Sequence, residues 1–280
     1  MAQTVESPLI STQELSQLIG ISDLKIIDAS WWMDGRDARA DHEHERLPGS
    51  VFFDLDAISD RSSPYPHMLP TPEAFAEAVG QLGIADTDDI VVYDSQGLFS
   101  AARVWWTFAI MGAERVRVLD GGLPKWKAEA RRVENGAVPP VVRARFQARL
   151  DASRVVTIDQ LRQSLDQGIT VLDARSAPRF RGEVPEPRPG LRSGHMPGAT
   201  NLPFGALLNT DGTFKRGEAL QAAFAAVGYE PGRPVITSCG SGVTAAILIL
   251  GLVELGHEAQ LYDGSWAEWG SRGDTPVTTG

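Results

Sequence analysis

Four short landmarks occur twice along this chain, each time in the same order. The first half runs Lys25-Ile26-Ile27-Asp28-Ala29, then Leu47-Pro48-Gly49-Ser50, then Ile90-Val91-Val92-Tyr93-Asp94, then Leu119-Asp120-Gly121-Gly122. The second half answers with Val171-Leu172-Asp173-Ala174-Arg175, Met196-Pro197-Gly198-Ala199, Val235-Ile236-Thr237-Ser238-Cys239 and Tyr262-Asp263-Gly264-Ser265. Self-similarity over that length means that one plan of strands and turns is used twice. Against a typical domain of roughly 150 residues, 280 residues make two domains, each long enough to bury its own core. The expected boundaries are 10–135 and 155–275, with 136–154 as the linker. The stretch from Arg131 to Ala148 supports this, since it holds Pro139-Pro140, alternating arginines and no clear period.

Within each half, short β-branched runs such as Ile90-Val91-Val92 and Val116-Arg117-Val118-Leu119 alternate with helical stretches, including Thr71 to Leu82 and Ala101 to Met111. That alternation predicts an α/β fold, with a mainly parallel sheet flanked by helices in each domain. Thr71 followed by Pro72 marks a capped helix start, reinforced by Glu73 and Glu77 in the early turns. With 42% hydrophobic and 22% charged residues the chain is globular rather than disordered. Its formal net charge of −10 argues against nucleic acid or anionic lipid as a partner, so any anion site must be local. The longest apolar run, Ala245 to Val253, is broken by Gly251 and falls far short of the roughly 20 residues that cross a bilayer. Met1 to Glu6 carry neither a basic region nor an apolar core, so a cytoplasmic location is expected.

The one cysteine, Cys239, excludes an intrachain disulfide and every multi-cysteine metal site. Asp41-His42-Glu43-His44 reads as a solvated charged run, and no metal site is expected. Cys239 opens the segment Cys239-Gly240-Ser241-Gly242-Val243-Thr244, which follows a strand-like run and precedes an apolar helix beginning at Ala245. Glycines let such a loop curl so that successive N–H groups point inward, and the following helix adds the partial positive charge of its N-terminus. A cradle of this kind favours a thiolate, which is the nucleophilic form of cysteine. A cysteine that merely fills a core needs no flanking glycines. Matching Ala101-Ala102 to Ala245-Ala246 sets Ser95 opposite Cys239, so the first half is expected to be non-catalytic.

On these residues the chain resembles the tandem-domain sulfurtransferases of the rhodanese superfamily. Gly194-His195-Met196-Pro197-Gly198-Ala199 and Tyr262-Asp263-Gly264-Ser265-Trp266-Ala267-Glu268-Trp269 are similar to further hallmarks of that family, and the likeness covers nearly the whole chain. It implies two rhodanese-like domains with a catalytic second one, in which Cys239 carries sulfur as a persulfide. The loop is similar to that of members taking sulfur from 3-mercaptopyruvate. Members specific for the thiosulfate dianion carry Arg and Lys where this chain has Gly240 and Ser241. The resemblance implies that Arg179 and Arg188 bind the donor carboxylate, for which a guanidinium fork is suited, with Arg181 as a neighbouring substitute. Gly240, Gly242, Val243 and Thr244 would surround the sulfur. An Asp56–His67–Ser241 relay is also implied, with His67 holding a proton near neutral pH and Asp56 fixing its tautomer. The bland alternative for these three is a small residue fitting a loop and a packing segment, Tyr65 to Pro70. Acceptors implied are cyanide, small thiols and reduced thioredoxin. No cofactor is implied, and because two domains can cover one another's faces a monomer suffices.

Rival readings remain at this point. A cysteine phosphatase of related fold requires an arginine at the end of the loop, but the sixth residue after Cys239 is Ala245 and no arginine follows before Arg272. Thiosulfate as donor, or a persulfide carrier or scaffold without turnover, would use the same Cys239. Other residues read as structural: Trp126 and Trp269 match in the repeat as core, His195 as a hydrogen-bonding residue before a turn, and Asp28 and Asp173 as carboxylates bonding loop backbone.

Overall fold

The computed structural model describes residues 7–21 and 23–280, so the expectation placed on Met1 to Glu6 lies outside the described residues. The chain divides into two compact units. The first takes the chain up to Arg61, Leu69–Asp151 and Asn209–Phe214; the second takes Ser62–Met68, Ala152–Leu208 and Lys215–Gly280.

In the first unit the strands are β1 (Leu9–Ile10), β2 (Leu24–Asp28), β3 (Val51–Phe52), β4 (Asp89–Tyr93) and β5 (Arg115–Leu119). Its helices are α1 (Thr12–Leu18), α2 (Ala38–His44), α3 (Leu55–Ile58), α4 (Pro72–Gln81), α5 (Ala101–Ile110) and α6 (Gly122–Ala128). The second unit has β6 (Val155–Val156), α7 (Ile158–Asp166), β7 (Thr170–Asp173), α8 (Ala177–Phe180) and β8 (Thr200–Asn201). It continues with α9 (Gly217–Ala225), β9 (Val235–Ser238), α10 (Ala245–Glu254), β10 (Gln260–Tyr262) and α11 (Ser265–Trp269). The two sheets are five-stranded, with orders β1-β5-β4-β2-β3 and β6-β10-β9-β7-β8, and every described pairing between these strands is parallel. The second order is the first with each strand replaced by its repeat partner. Central strands are buried along most of their length, as Ile90, Val91, Val92 and Tyr93 show, because helices on both faces of a parallel sheet leave neither face for solvent.

The duplication extends to individual core side chains. One cluster holds Ile10, Leu15, Ile26, Leu47, Val91, Tyr93, Leu119, Leu123 and Trp126. The other holds Val156, Leu161, Val171, Met196, Ile236, Tyr262, Trp266 and Trp269, which take the same places in the same order except that Tyr93 has no counterpart, its position in the repeat being Ser238. The strand registers fix this correspondence: Ile26 lies beside Val91 as Val171 lies beside Ile236, and Ile10 beside Leu119 as Val156 beside Tyr262. Helix α10 is apolar on all sides and buried from Ala245 to Leu252, as expected of a helix packed within the core, and its N-terminus follows the loop that leaves β9.

Two features differ from a simple bead-and-linker picture. Residues 136–151 are irregular but not a free connector. Phe146 is buried edge-on between Phe75 and Phe108, and the N–H groups of Ala144 and Arg149 donate to Gly80 and Met111 carbonyls. A single aromatic in a proline-rich run supplies enough apolar surface to hold the strand-like segment down. The segments 62–68 and 209–214 are each counted with the unit whose main sequence half is the other one.

Candidate active site

Strand β9 delivers Cys239 directly at its carboxyl end, where ligands are bound in open parallel sheets. The cysteine is 2% exposed. Its peptide is clamped on three sides by the start of α11. The Cys239 N–H donates to Ser265 Oγ at 3.2 Å, while the carbonyls of Cys239 and Gly240 accept from the N–H groups of Trp266 (2.9 Å) and Ala267 (2.8 Å). By contrast the N–H groups from Gly240 to Ala246 donate to no acceptor among the described residues. Gly242 has φ +76°, the left-handed conformation that turns the loop back toward α10. The loop therefore carries backbone donors that meet no acceptor among the described residues, between the cysteine and the N-terminus of α10.

The first unit supplies an internal control. Asp28 pairs with Tyr93 across β2 and β4 as Asp173 pairs with Ser238 across β7 and β9. Counted from the strand, the residue opposite Cys239 is therefore Asp94, and Ser95 matches it only when counted back from the helix. The loop 94–100 is one residue longer than 239–244, which is why the two counts disagree. Asp94 is fully buried, and its carboxylate accepts from the N–H groups of Gln96 (2.9 Å), Phe99 (2.7 Å), Ser100 (3.0 Å) and Ala101 (2.9 Å). Burial pushes its carboxyl up from the usual range, against the pull of those four donors. The cradle left open in the second unit is filled in the first by the chain's own carboxylate. Ser95 lies beside it, its Oγ 2.8 Å from Ser30 Oγ, which donates in turn to Asp28.

Another position in the repeat separates the two units. Gly122 and Ser265 occupy the same place and the same left-handed conformation, φ +54° and +48°. For a non-glycine residue that conformation costs about 1–2 kcal/mol. The hydroxyl that accompanies the strain accepts from Cys239 and donates to the Tyr262 carbonyl at 2.9 Å. Nothing in the sequence alone marked Ser265 as important; comparison with Gly122 in the repeat is the signal that finds it.

The expected donor-binding arginines are placed differently from one another. Arg179, near the end of α8, has its Nη2 only 3.0 Å from where a Cβ on Gly240 would stand. Glycine is thus the residue that lets this guanidinium approach the loop. It is held by Glu186, whose Oε2 accepts from Nη2 at 2.5 Å. Arg181, the neighbouring substitute, turns outward and pairs with Glu183 on the surface. Arg188 is half-buried in the irregular segment that also carries Glu186. Val243 and Thr244 are buried in the loop, 3% and 8% exposed.

Ser241 and His67 are brought together: Nδ1 of His67 lies 2.9 Å from Ser241 Oγ, both side chains being buried. His67 sits at φ +61° in the 62–68 segment counted with the second unit. Asp56 is in the first unit, on α3, where its carboxylate accepts from Trp31 Nε1 at 3.0 Å. His195 stacks on Phe180 with centroids 3.8 Å apart and places Nδ1 2.8 Å from the Phe180 carbonyl. His42, expected on a solvated run, is instead buried on Asp28 at 2.8 Å. The helix α2 turns position 42 inward and leaves His44 outside. Asp28 and Asp173 accept from the N–H of the residue two ahead, Ser30 and Arg175, and each also takes side-chain donors.

Comparison with known proteins returns the same architecture. The Rhodanese-like domain family matches residues 11–129 and again 157–272. The 3-mercaptopyruvate sulfurtransferase of Escherichia coli (strain K12) is 43% identical over 268 residues, covering 94% of this chain and 95% of that protein. A mitochondrial protein of Arabidopsis thaliana, thiosulfate/3-mercaptopyruvate sulfurtransferase 1, is 40% identical, covering 98% of this chain and 79% of that protein. Among solved structures, SseA from Escherichia coli, described as a 3-mercaptopyruvate sulfotransferase of rhodanese fold, superimposes with a TM-score of 0.85. That match is 39% identical and covers 93% of this chain and 99% of that one.

Proposed function

The chain belongs to the rhodanese-like family in its tandem-domain form, and from that premise we propose that it is a sulfurtransferase moving sulfur from 3-mercaptopyruvate through Cys239. The observation that carries the reading is the loop itself: a buried thiol followed by N–H groups that meet no acceptor among the described residues, with an arginine lying over Gly240. In the first step the Cys239 thiolate attacks the donor sulfur. The new S–S bond forms as the carbon–sulfur bond breaks, and the electron pair leaves on carbon as the enolate of pyruvate, which takes up a proton. Cys239 is left as a persulfide.

Arg179 and Arg188 orient the donor carboxylate, and the N–H groups of Gly240, Gly242, Val243 and Thr244 stabilise the charge on sulfur. His67, hydrogen-bonded to Ser241, places an imidazole beside the loop for proton movement at the donor. Asp56 is the third member of that proposed relay. In the second step an acceptor nucleophile, cyanide, a small thiol or reduced thioredoxin, attacks the outer sulfur and returns Cys239 as thiolate. No helix among the described residues is long and apolar enough to cross a membrane. A reducing compartment such as the cytoplasm, where Cys239 stays a thiol and acceptor thiols are abundant, fits this chemistry.

Initial rates of sulfur transfer to cyanide, with 3-mercaptopyruvate against thiosulfate, test the proposal on the native chain and on Cys239→Ser. Strong preference for 3-mercaptopyruvate and a rate at background in the variant are expected. Preference for thiosulfate would overturn the donor; a persulfide on the purified protein without turnover would favour a carrier.

A further inference from the structure

Four charged side chains, the last of them Arg179, connect the end of β7 to the cysteine loop. The guanidinium of Arg175, wholly inaccessible, donates to both oxygens of Asp173, with Nη2 2.7 Å from Oδ2, and through Nη1 to Glu186 Oε1 at 2.9 Å. Burial opposes that charge, but the two carboxylates hold it firmly protonated. Glu186, its side chain 1% exposed, accepts in turn from Arg179 Nε at 3.3 Å and Nη2 at 2.5 Å. Arg179 alone is partly open, at 17%, and its Nη2 lies over Gly240. Two positive and two negative charges thus cancel before any donor arrives. The Nε–Nη2 edge of Arg179, one of the two edges by which a guanidinium grips a carboxylate, is already committed.

We infer that Glu186 is a positioning and specificity-determining residue: it holds Arg179 over Gly240 and offsets its charge, so that the site suits a donor with one negative charge and disfavours a dianion. The inference rests on Arg179 being a donor-binding group, as proposed above. Its physical basis is that repulsion from a fixed carboxylate is about twice as large for a dianion as for a monoanion at the same distance. In a buried setting, solvent screens little of that difference. Arg175 ties the Glu186 carboxylate to Asp173 at the end of β7, which holds Glu186 in place against Arg179.

Glu186→Gln keeps a side-chain oxygen for the two arginines and removes the charge. The ratio of kcat/KM for 3-mercaptopyruvate to that for thiosulfate is expected to fall at least tenfold in this variant, with the change carried by KM. Glu186→Asp retains the charge and is expected to keep the native ratio even where both rates drop. A parallel change for the two donors in Glu186→Gln, or a shifted ratio in Glu186→Asp, would reduce Glu186 to a structural role. A measurement on the native chain is independent of how either variant folds. At fixed ionic strength, pyruvate is expected to inhibit at least tenfold more tightly than sulfate, and equal or tighter inhibition by sulfate would sink the inference. A native enzyme that does not turn over 3-mercaptopyruvate at all would instead overturn the proposed function.

Discussion

Ser265 shows how much chemistry a single backbone conformation reveals. It holds a left-handed φ that its repeat partner Gly122 adopts without cost, and its hydroxyl is the acceptor for the Cys239 N–H. Ser265→Ala removes the hydroxyl and keeps the strain, whereas Ser265→Gly removes both. Urea unfolding is therefore expected to find the alanine variant less stable than the glycine variant by about 1–2 kcal/mol. Both are expected to turn over more slowly, through kcat, because the cysteine peptide loses one of its three clamps. Full activity in Ser265→Gly would show that the hydroxyl does not hold the loop. Ser265 closes the last of the repeated landmarks with nothing local to mark its role, whereas a lone thiol between a β-branched run and a glycine loop, as at Cys239, is a purely local pattern. Glu186 stands two residues before Arg188 with no local pattern to mark it. A buried carboxylate and a surface one look the same in sequence, and only the burial of Arg175 distinguishes them.

At the scale of elements, the strand–loop–helix units β4–α5 and β9–α10 solve one problem in two ways. A tight loop entering a buried helix leaves several backbone N–H groups without helical partners. In the first unit Asp94 takes four of them. Asp94→Ala leaves these donors buried and unpaired at about 1–3 kcal/mol apiece, partly offset by entering water. A loss of about 3 kcal/mol or more is expected in urea unfolding, and a loss below about 1 kcal/mol would mean that the donors find other partners. In the second unit the corresponding donors, from Gly240 to Ala246, meet no acceptor among the described residues. The repeat alignment missed this by one residue, choosing Ser95 because helices were matched rather than strands. The length of a loop does not show in the pattern of its flanks.

For the whole molecule, the match of the two cores at every place but that of Tyr93 implies that each unit carries its own stability. Trp126 and Trp269 occupy equivalent places, and each indole N–H donates to a carbonyl at 2.8 Å, of Arg132 and Pro276 respectively. Trp126→Phe and Trp269→Phe are each expected to cost about 2 kcal/mol, from lost packing and an unpaired carbonyl, and the double variant is expected to show the sum. A large departure from additivity in urea titrations would show that the two cores are not independent. The tandem α/β plan, the alternation of strands and helices, and the cysteine loop were all determined by sequence, because periodicity and turn chemistry act between near neighbours. Tertiary structure alone decided that 62–68 is counted with the second unit, that Phe146 anchors the supposed linker, that Asp94 fills the first cradle, and that Asp173, Arg175, Glu186 and Arg179 form one chain of charge. Those outcomes depend on which side chains meet once water is excluded, and no short stretch of sequence contains both partners.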